Sequence, residues 1–219
     1  EAANEHGWPL MRPLFLTHPR EPATWTQDDV FFLGDALLAA PVVQRGVTER
    51  TVWIPADVYV DWWDGRVIHG GGTVTLPAPE DHLPLLLRHG RIVPMLDASV
   101  QTLAPATHPS VVTAASVSDR MDLRVALREG ASASLVLVDG ASIRITRGGG
   151  TRETVAARVL ESELPGCASC ANADPLGGTP RLRVNTAADG RGVTVAGDIT
   201  VEVTGGPARR YRAEVFRVP

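Results

Sequence analysis

Residues 47–94 read VTERTVWIPADVYVDWWDGRVIHGGGTVTLPAPEDHLPLLLRHGRIVP and decide the fold of the chain. Short runs rich in Val, Ile, Trp and Tyr alternate here with Gly, Pro and Asp, which is typical of antiparallel strands joined by tight turns. Asp64-Gly65 lies between two such runs and indicates a hairpin, because glycine tolerates the positive φ of a primed turn. The predicted strands cover residues 50–54, 58–63, 67–69, 73–76 and 83–88.

The downstream half shows the same pattern of short strand-like runs, after a break. A stretch rich in Pro, Thr, Ser and Ala at residues 103–118 interrupts the periodicity and is the best internal boundary. A short helix at residues 153–160 and a loop at residues 164–180 interrupt the later strands. Those strands are predicted at residues 121–127, 134–138, 141–146, 181–184, 192–196, 199–203 and 211–218.

The upstream segment, residues 1–46, differs from both. A strand-like run at residues 9–16 is followed by a proline-broken loop and by residues 28–38, which could begin as a short helix with Thr26 as its N-cap. The chain does not begin with Met, so we expect that Glu1 was exposed by processing, cloning or truncation. The sequence therefore predicts a mostly β fragment.

Composition and charge exclude several classes of protein. The 219 residues can bury a sizeable core, and 44% hydrophobic content is ordinary for a globular chain. The formal charge is -4 and no run of basic residues forms a stripe, so nucleic acid is not an expected partner. No apolar stretch approaches the roughly 20 residues that span a bilayer, so no membrane partner is predicted.

Several motifs occur in a specific order. They are GWPLMRPLF at residues 7–15, FFLGDALLAAPV at residues 31–42, DWWDG at residues 61–65 and a Gly-rich turn at residues 70–72. Their order and spacing resemble glycoside hydrolase family 31, the α-glucosidase and α-xylosidase family, where its catalytic barrel ends and its C-terminal β-sandwich begins. The resemblance extends over about residues 7–95.

The resemblance implies a mostly β chain in three parts. Residues 1–46 would be the last strand and helix of a (β/α)8 catalytic barrel. Residues 47–120 would form the proximal C-terminal β-sandwich, and residues 121–219 the distal C-terminal β-domain. Arg12, beside the expected last barrel strand, is predicted to be buried and paired.

The resemblance also implies a retaining α-glycosidase, in which one carboxylate attacks the anomeric carbon and a second acts as general acid and then base. The two catalytic aspartates of the family are expected upstream of Glu1, so no residue of this chain is predicted to be catalytic. The chain would then support the rest of the catalytic barrel, on the same or a separate polypeptide. The substrate of that enzyme would be an α-linked oligosaccharide or glycoside. The alternative is a non-catalytic carbohydrate-binding or interaction module.

Trp25, Trp62 and Trp63 are the candidate substrate-binding residues, since aromatic faces suit the C–H faces of pyranose rings. The favoured interpretation of Trp62 and Trp63 is structural, because successive strand residues point to opposite faces. Asp61 and Asp64 could be an acid/base pair or cation ligands. A carboxylate beside a turn more often bonds its own backbone, which is the prediction here.

No metal and no cofactor is predicted. Cys167 and Cys170 could be half of a zinc site, a redox pair or a local disulfide, but no histidine follows His108 to complete a zinc site. A disulfide and two free thiols both remain open. Gly148-Gly149-Gly150 lacks a phosphate-loop Lys and is predicted to be a turn or linker. The histidines, without ligand spacing, are His6, His18, His69, His82, His89 and His108.

Overall fold

The computed structural model describes residues 7–149, 181–186 and 191–219. Within these ranges the chain is mostly β, as predicted, with one short helix, α1 (Leu14–Thr17), and two 3-10 turns, Pro22–Thr26 and Ala115–Val117. The strands are β1 (Met11–Pro13), β2 (Phe31–Leu33), β3 (Leu37–Ala39), β4 (Glu49–Ile54), β5 (Val58–Asp61), β6 (Val67–His69), β7 (Gly72–Pro77), β8 (Leu85–Arg88), β9 (Ile92–Met95), β10 (Arg120–Leu127), β11 (Ser132–Val136), β12 (Ser142–Arg147), β13 (Arg181–Asn185), β14 (Gly192–Ala196), β15 (Ile199–Thr204) and β16 (Arg210–Arg217).

The first sandwich packs a six-stranded sheet against the β4–β7 pair. The order in the larger sheet is β1-β2-β3-β8-β5-β6, and its pairings are antiparallel. Alternate residues of β4, including Val52 and Ile54, point inward, as period-two patterning requires. The buried core consists of Leu14, Val30, Phe32, Leu38, Ala40, Val52, Ile54, Tyr59, Ile68, Leu76 and Leu86.

The second sandwich packs two four-stranded sheets, ordered β13-β16-β10-β9 and β11-β12-β15-β14. β10 and β16 are parallel along their whole length, from Arg120 opposite Arg210 to Leu127 opposite Arg217. A parallel pair requires a long crossover connection, so strands far apart in sequence meet here. Leu123, Val125 and Leu127 of β10 alternate into the core between the two sheets.

A third apolar cluster joins the two sandwiches. Val58 and Val60 of β5 point away from the first core, whereas Tyr59 between them points into it. Their partners across the junction are Ala126 of β10 and Phe216 of β16. β5 is therefore buried on both faces, which explains its nearly continuous apolar sequence.

The predicted barrel end is not found among the described residues. β1 pairs antiparallel with β2, whereas neighbouring strands of a (β/α)8 barrel are parallel. The segment predicted to begin as a helix forms β2 and β3 instead, separated by a turn in which the Gly34 N–H donates to the Leu10 carbonyl. The helix prediction was wrong because tertiary pairing of these apolar residues with β1 and β8 outweighs a local cap signal.

Strand pairing crosses both predicted domain boundaries. β3 pairs with β8 across position 46, and β9 pairs with β10 across position 120. The boundaries themselves stay predictions. The helix at residues 153–160, the loop at 164–180, the Cys167–Cys170 alternatives, His6 and the third glycine of 148–150 lie outside the described residues. Within those ranges, no helix has the length and apolar character to cross a bilayer.

Candidate functional site

The turn that follows β5 is held by its own carboxylates. The buried Asp61 accepts backbone N–H bonds from Trp63 (2.9 Å) and Asp64 (3.3 Å) on Oδ1, and its carbonyl accepts the Gly65 N–H at 3.0 Å. Asp64 Oδ1 in turn accepts the Arg66 N–H at 2.8 Å. The prediction that both carboxylates bond their own turn is confirmed.

Burial also changes the pKa of the Asp61 carboxyl group in this turn. Desolvation raises the pKa of Asp61 above its usual value, while the N–H bonds from Trp63 and Asp64 act in the opposite direction. The carboxylate is therefore held in an environment that disfavours its charge. It serves to shape the turn, with Oδ1 occupied by two backbone N–H groups.

Trp62 lies at the junction between the two sandwiches. Its ring packs against the third apolar cluster and is half-buried. The Arg124 guanidinium carbon lies 4.4 Å from the ring centroid, and Arg124 Nη1 donates to the Trp62 carbonyl at 2.8 Å. Arg124 Nε also pairs with the buried Glu214 at 2.7 Å. This arrangement covers Trp62 and supports the structural interpretation of its ring.

The last residue of the turn makes a close approach to the second sandwich. Gly65 has φ +76°, and a Cβ placed there would lie 3.1 Å from the Phe216 ring. Only glycine combines that backbone conformation with so little space. The turn from Asp61 to Gly65 thus docks one sandwich on the other.

Trp63 points the opposite way and is exposed. Its side chain retains 46% of its accessible surface, although its indole N–H donates to the Leu83 carbonyl at 2.7 Å. The ring stacks on the His82 imidazole with centroids 4.3 Å apart and an interplanar angle of 5°. Glu80 and Asp81, which precede His82, are exposed. Trp63 therefore presents an exposed aromatic ring whose position is fixed by a hydrogen bond and a stacking contact, with carboxylates in the adjoining loop.

Trp25 occupies a different kind of surface. It is 64% exposed and stacks on Phe15, with ring centroids 5.5 Å apart. Its exposed apolar companions follow β1, the edge strand of the first sheet. We call this surface the β1 patch, and its members are Trp8, Leu10, Met11, Phe15 and Trp25.

The prediction of a buried Arg12 was wrong. Its side chain is partly exposed, with the guanidinium carbon 5.4 Å from the Trp8 ring centroid and Nε donating to the Pro9 carbonyl at 2.9 Å. An edge strand leaves room for this surface stacking.

A polar cluster that sequence reasoning missed lies beside the first core. Arg88 Nε donates to Asp57 Oδ2 at 2.7 Å, and Asp57 Oδ1 accepts the Val58 N–H at 2.7 Å. His18 stacks on Phe32, and its pKa is lowered by burial and then by the positive charge of Arg88. Arg88 and Asp57 are 31 positions apart, so no local signal predicts their pairing.

Two further carboxylates in the described ranges are bound by arginines. Asp29 pairs with Arg50, and Asp122 pairs with Arg212. Those ranges hold no group of three or more His, Cys, Asp or Glu side chains able to bind a metal. A surface depression of about 390 Å³ is lined by Ser142, Arg144, Glu202 and Thr204, and none of the three candidate tryptophans lines it.

Comparison with known proteins identifies part of the chain. The family model described as "Glycosyl hydrolase family 31 C-terminal domain" matches residues 7–93. The "Probable alpha/beta-glucosidase" of Arthroderma benhamiae is 39% identical over 100 residues, covering 45% of this chain and 12% of that protein. "Alpha-glucosidase 2" of Bacillus thermoamyloliquefaciens is 33% identical over 109 residues, covering 50% of this chain and 14% of that protein.

The fold has a counterpart among solved structures. The cycloalternan-forming enzyme from Listeria monocytogenes, solved with a pentasaccharide substrate, aligns with a TM-score of 0.55 and 27% identity. The alignment covers 66% of this chain and 14% of that one. The chain thus spans only 12% and 14% of the length of the two curated relatives. On these matches, residues 7–93 belong to the C-terminal domain of glycosyl hydrolase family 31.

Proposed function

We propose that this chain is the C-terminal part of a retaining α-glycosidase and that it supports the catalytic barrel. The observation that carries the proposal is the β1 patch, located within the residues that match the family domain. Large apolar side chains that are exposed together near one sheet edge favour contact with another protein surface. The rest of the barrel, on the same or a separate polypeptide, is the proposed partner.

The geometry of the patch suits such a contact. β1 pairs with a neighbour on one side only, so its other edge presents unpaired backbone groups as well as apolar side chains. Burying a large apolar side chain contributes about 1.5–3 kcal/mol. Leu10, Met11 and Trp25, each more than half exposed, therefore provide a substantial driving force for docking.

The proposed chemistry takes place outside this chain. A retaining glycosidase needs two carboxyl groups about 5–5.5 Å apart, one as nucleophile and one as acid and base. Here Asp57 and Glu214 are bound by arginines, and Asp61 and Asp64 are bound by turn N–H groups. We assign these carboxylates to folding and the catalytic pair to the barrel. An α-linked oligosaccharide or glycoside is the proposed substrate.

The first test is the size and activity of the native protein, captured with an antibody raised to residues 100–219. A polypeptide several times larger than 23.3 kDa that hydrolyses an aryl α-glucoside with retained anomeric configuration would support the proposal. A 23 kDa species that co-purifies with a barrel polypeptide and that activity would support the separate-chain form. A lone 23 kDa species without the activity would contradict both.

A second candidate function, a carbohydrate-binding module, is favoured by one observation. Both tryptophans are exposed, but Trp63 stacks on the polar His82 ring, whereas Trp25 stacks on the apolar Phe15 ring. The two tryptophans therefore suit different partners.

A further inference from the structure

We propose that Trp63, stacked on His82, forms a surface binding site for a neutral gluco-oligosaccharide. The site lies in the loops that follow β5 and β7, at the exposed side of the Asp61–Gly65 turn. The expectation that the linkage is α rests on the proposed function, but the site itself rests on the geometry of this chain.

The ring is fixed before any ligand arrives. Its N–H donates to the Leu83 carbonyl at 2.7 Å, and the backbone N–H of Trp63 donates to Asp61 Oδ1 at 2.9 Å. The near-parallel His82 imidazole supports one face. Binding to such a ring loses little side-chain entropy, which is the main advantage of a preorganised site.

A large part of the Trp63 side chain stays accessible. His82 covers one face of Trp63, yet 46% of the residue remains accessible. An indole face carries partial negative charge and attracts the weakly positive C–H groups of a pyranose ring. A sugar ring that stacks there would form a third layer on the existing stack of His82 and Trp63.

The polar surroundings favour a neutral, hydroxyl-rich ligand. Glu80 and Asp81 are exposed next to the stack, and Asp81 Oδ2 lies 3.7 Å from His82 Nε2. Ionised carboxylates accept strong hydrogen bonds from hydroxyl groups. The same charges repel an anionic ligand, so a neutral saccharide is favoured over a uronic or phosphorylated sugar.

The contrast with Trp25 separates this site from a protein contact. Trp25 stacks on the apolar Phe15 ring, whereas Trp63 stacks on the His82 imidazole. An apolar surround suits another protein surface, while an aromatic plane with a polar rim suits a sugar.

The test uses the 219-residue chain with ¹⁵N-labelled tryptophan, Trp63→Ala, and Trp25→Ala as the matched control for an exposed tryptophan. Maltotriose and cellotriose are added to about 10 mM, above a millimolar dissociation constant. We expect maltotriose to shift the Trp63 indole signal. Affinity is followed through the adjacent Trp62 amide signal, which wild type and both variants retain. Trp63→Ala should weaken the affinity roughly tenfold or more, and Trp25→Ala should leave it unchanged.

The wild-type spectrum keeps the test independent of whether Trp63→Ala folds. An unmoved Trp63 indole signal with both saccharides would overturn the site. Equal affinities of Trp63→Ala and the wild type would do the same. If the native protein hydrolyses α-glucosides while the Trp63 signal stays unmoved, only this inference fails. If cellotriose alone shifts the Trp63 signal, and its effect on the Trp62 amide is lost in Trp63→Ala, the site stands and the expectation of an α linkage at this site is contradicted.

Discussion

Arg124→Met should destabilise the chain more than any exchange of a surface arginine. Arg124 donates to the buried Glu214 at 2.7 Å and to the Trp62 carbonyl at 2.8 Å, and its guanidinium covers the Trp62 ring. Removing one partner of a buried ion pair costs about 3–5 kcal/mol. Arg124 keeps 22% side-chain exposure and Glu214 retains Arg183, so we expect a loss of about 2–3 kcal/mol.

The matched control is Arg183→Met. Arg183 contacts the same Glu214 carboxylate at 3.5 Å, but its side chain is 61% exposed and it touches no residue of the turn in any described contact. An exposed pair of this kind contributes about 0–1 kcal/mol. The assay is urea unfolding of both variants followed by far-ultraviolet circular dichroism, with the free energy of unfolding extrapolated to water.

The comparison has a clear refuting result. This expectation is refuted if Arg124→Met lowers the free energy of unfolding by less than about 0.5 kcal/mol, or by no more than Arg183→Met does. Either result would mean that the junction between the sandwiches does not depend on the Arg124 guanidinium. A double variant with Glu214→Gln measures the pair itself, because the coupling energy is the amount by which the summed losses of the two single variants exceed the loss of the double variant. We expect a positive coupling of about 1 kcal/mol or more.

Three further predictions concern the turn and the exposed surface. Gly65→Ala should cost more than Gly34→Ala in thermal unfolding, by about 1 kcal/mol, since both have positive φ but only Gly65 has a ring 3.1 Å from the added Cβ; equal losses would refute the steric argument. Burial raises the folded pKa of Asp61, so its contribution to stability is present below the unfolded value of 3.8 and lost as pH rises through the folded pKa. Asp61→Asn should therefore flatten the pH dependence of the melting temperature over that window, and an unchanged slope would contradict the raised pKa. Leu10→Asp should leave the free energy of unfolding of this chain within about 0.5 kcal/mol but weaken the proposed association with a barrel polypeptide in a pull-down, whereas Val193→Asp, similarly exposed on β14, should not affect the pull-down; equal effects would argue against the β1 patch.

Local patterning predicted much of the fold. The runs at residues 58–63 and 67–69 and the Asp64-Gly65 turn between them correspond to β5, β6 and the observed hairpin turn. Trp62 and Trp63 were predicted at the end of a strand but lie in the turn after β5, so strand alternation does not decide their orientations. Trp62 is the covered ring because Arg124, 62 positions away in the sequence, packs on it, and the local pattern of residues does not predict that contact.

The upstream segment shows where patterning failed. The residues from Phe31 to Ala39 are apolar on both sides, and such a run does not distinguish a buried strand from a buried helix. Their identity as β2 and β3 is decided by hydrogen bonds to β1 and β8, which the local sequence does not encode. The misplacement of Arg12 has the same origin, since its exposure depends on β1 being an edge strand.

The sequence by itself determined the β character, the position of the tight turn, the self-bonded carboxylates of that turn and the membership of residues 7–93 in a known family. These features depend on residues close together in the chain, so short-range physical chemistry predicts them. Only the tertiary structure decided that β10 and β16 pair in parallel, that Trp62 is covered and Trp63 open, and that the β1 patch lies on the surface. Each of these depends on which distant strands meet, and that is set by the burial of apolar faces across the whole chain.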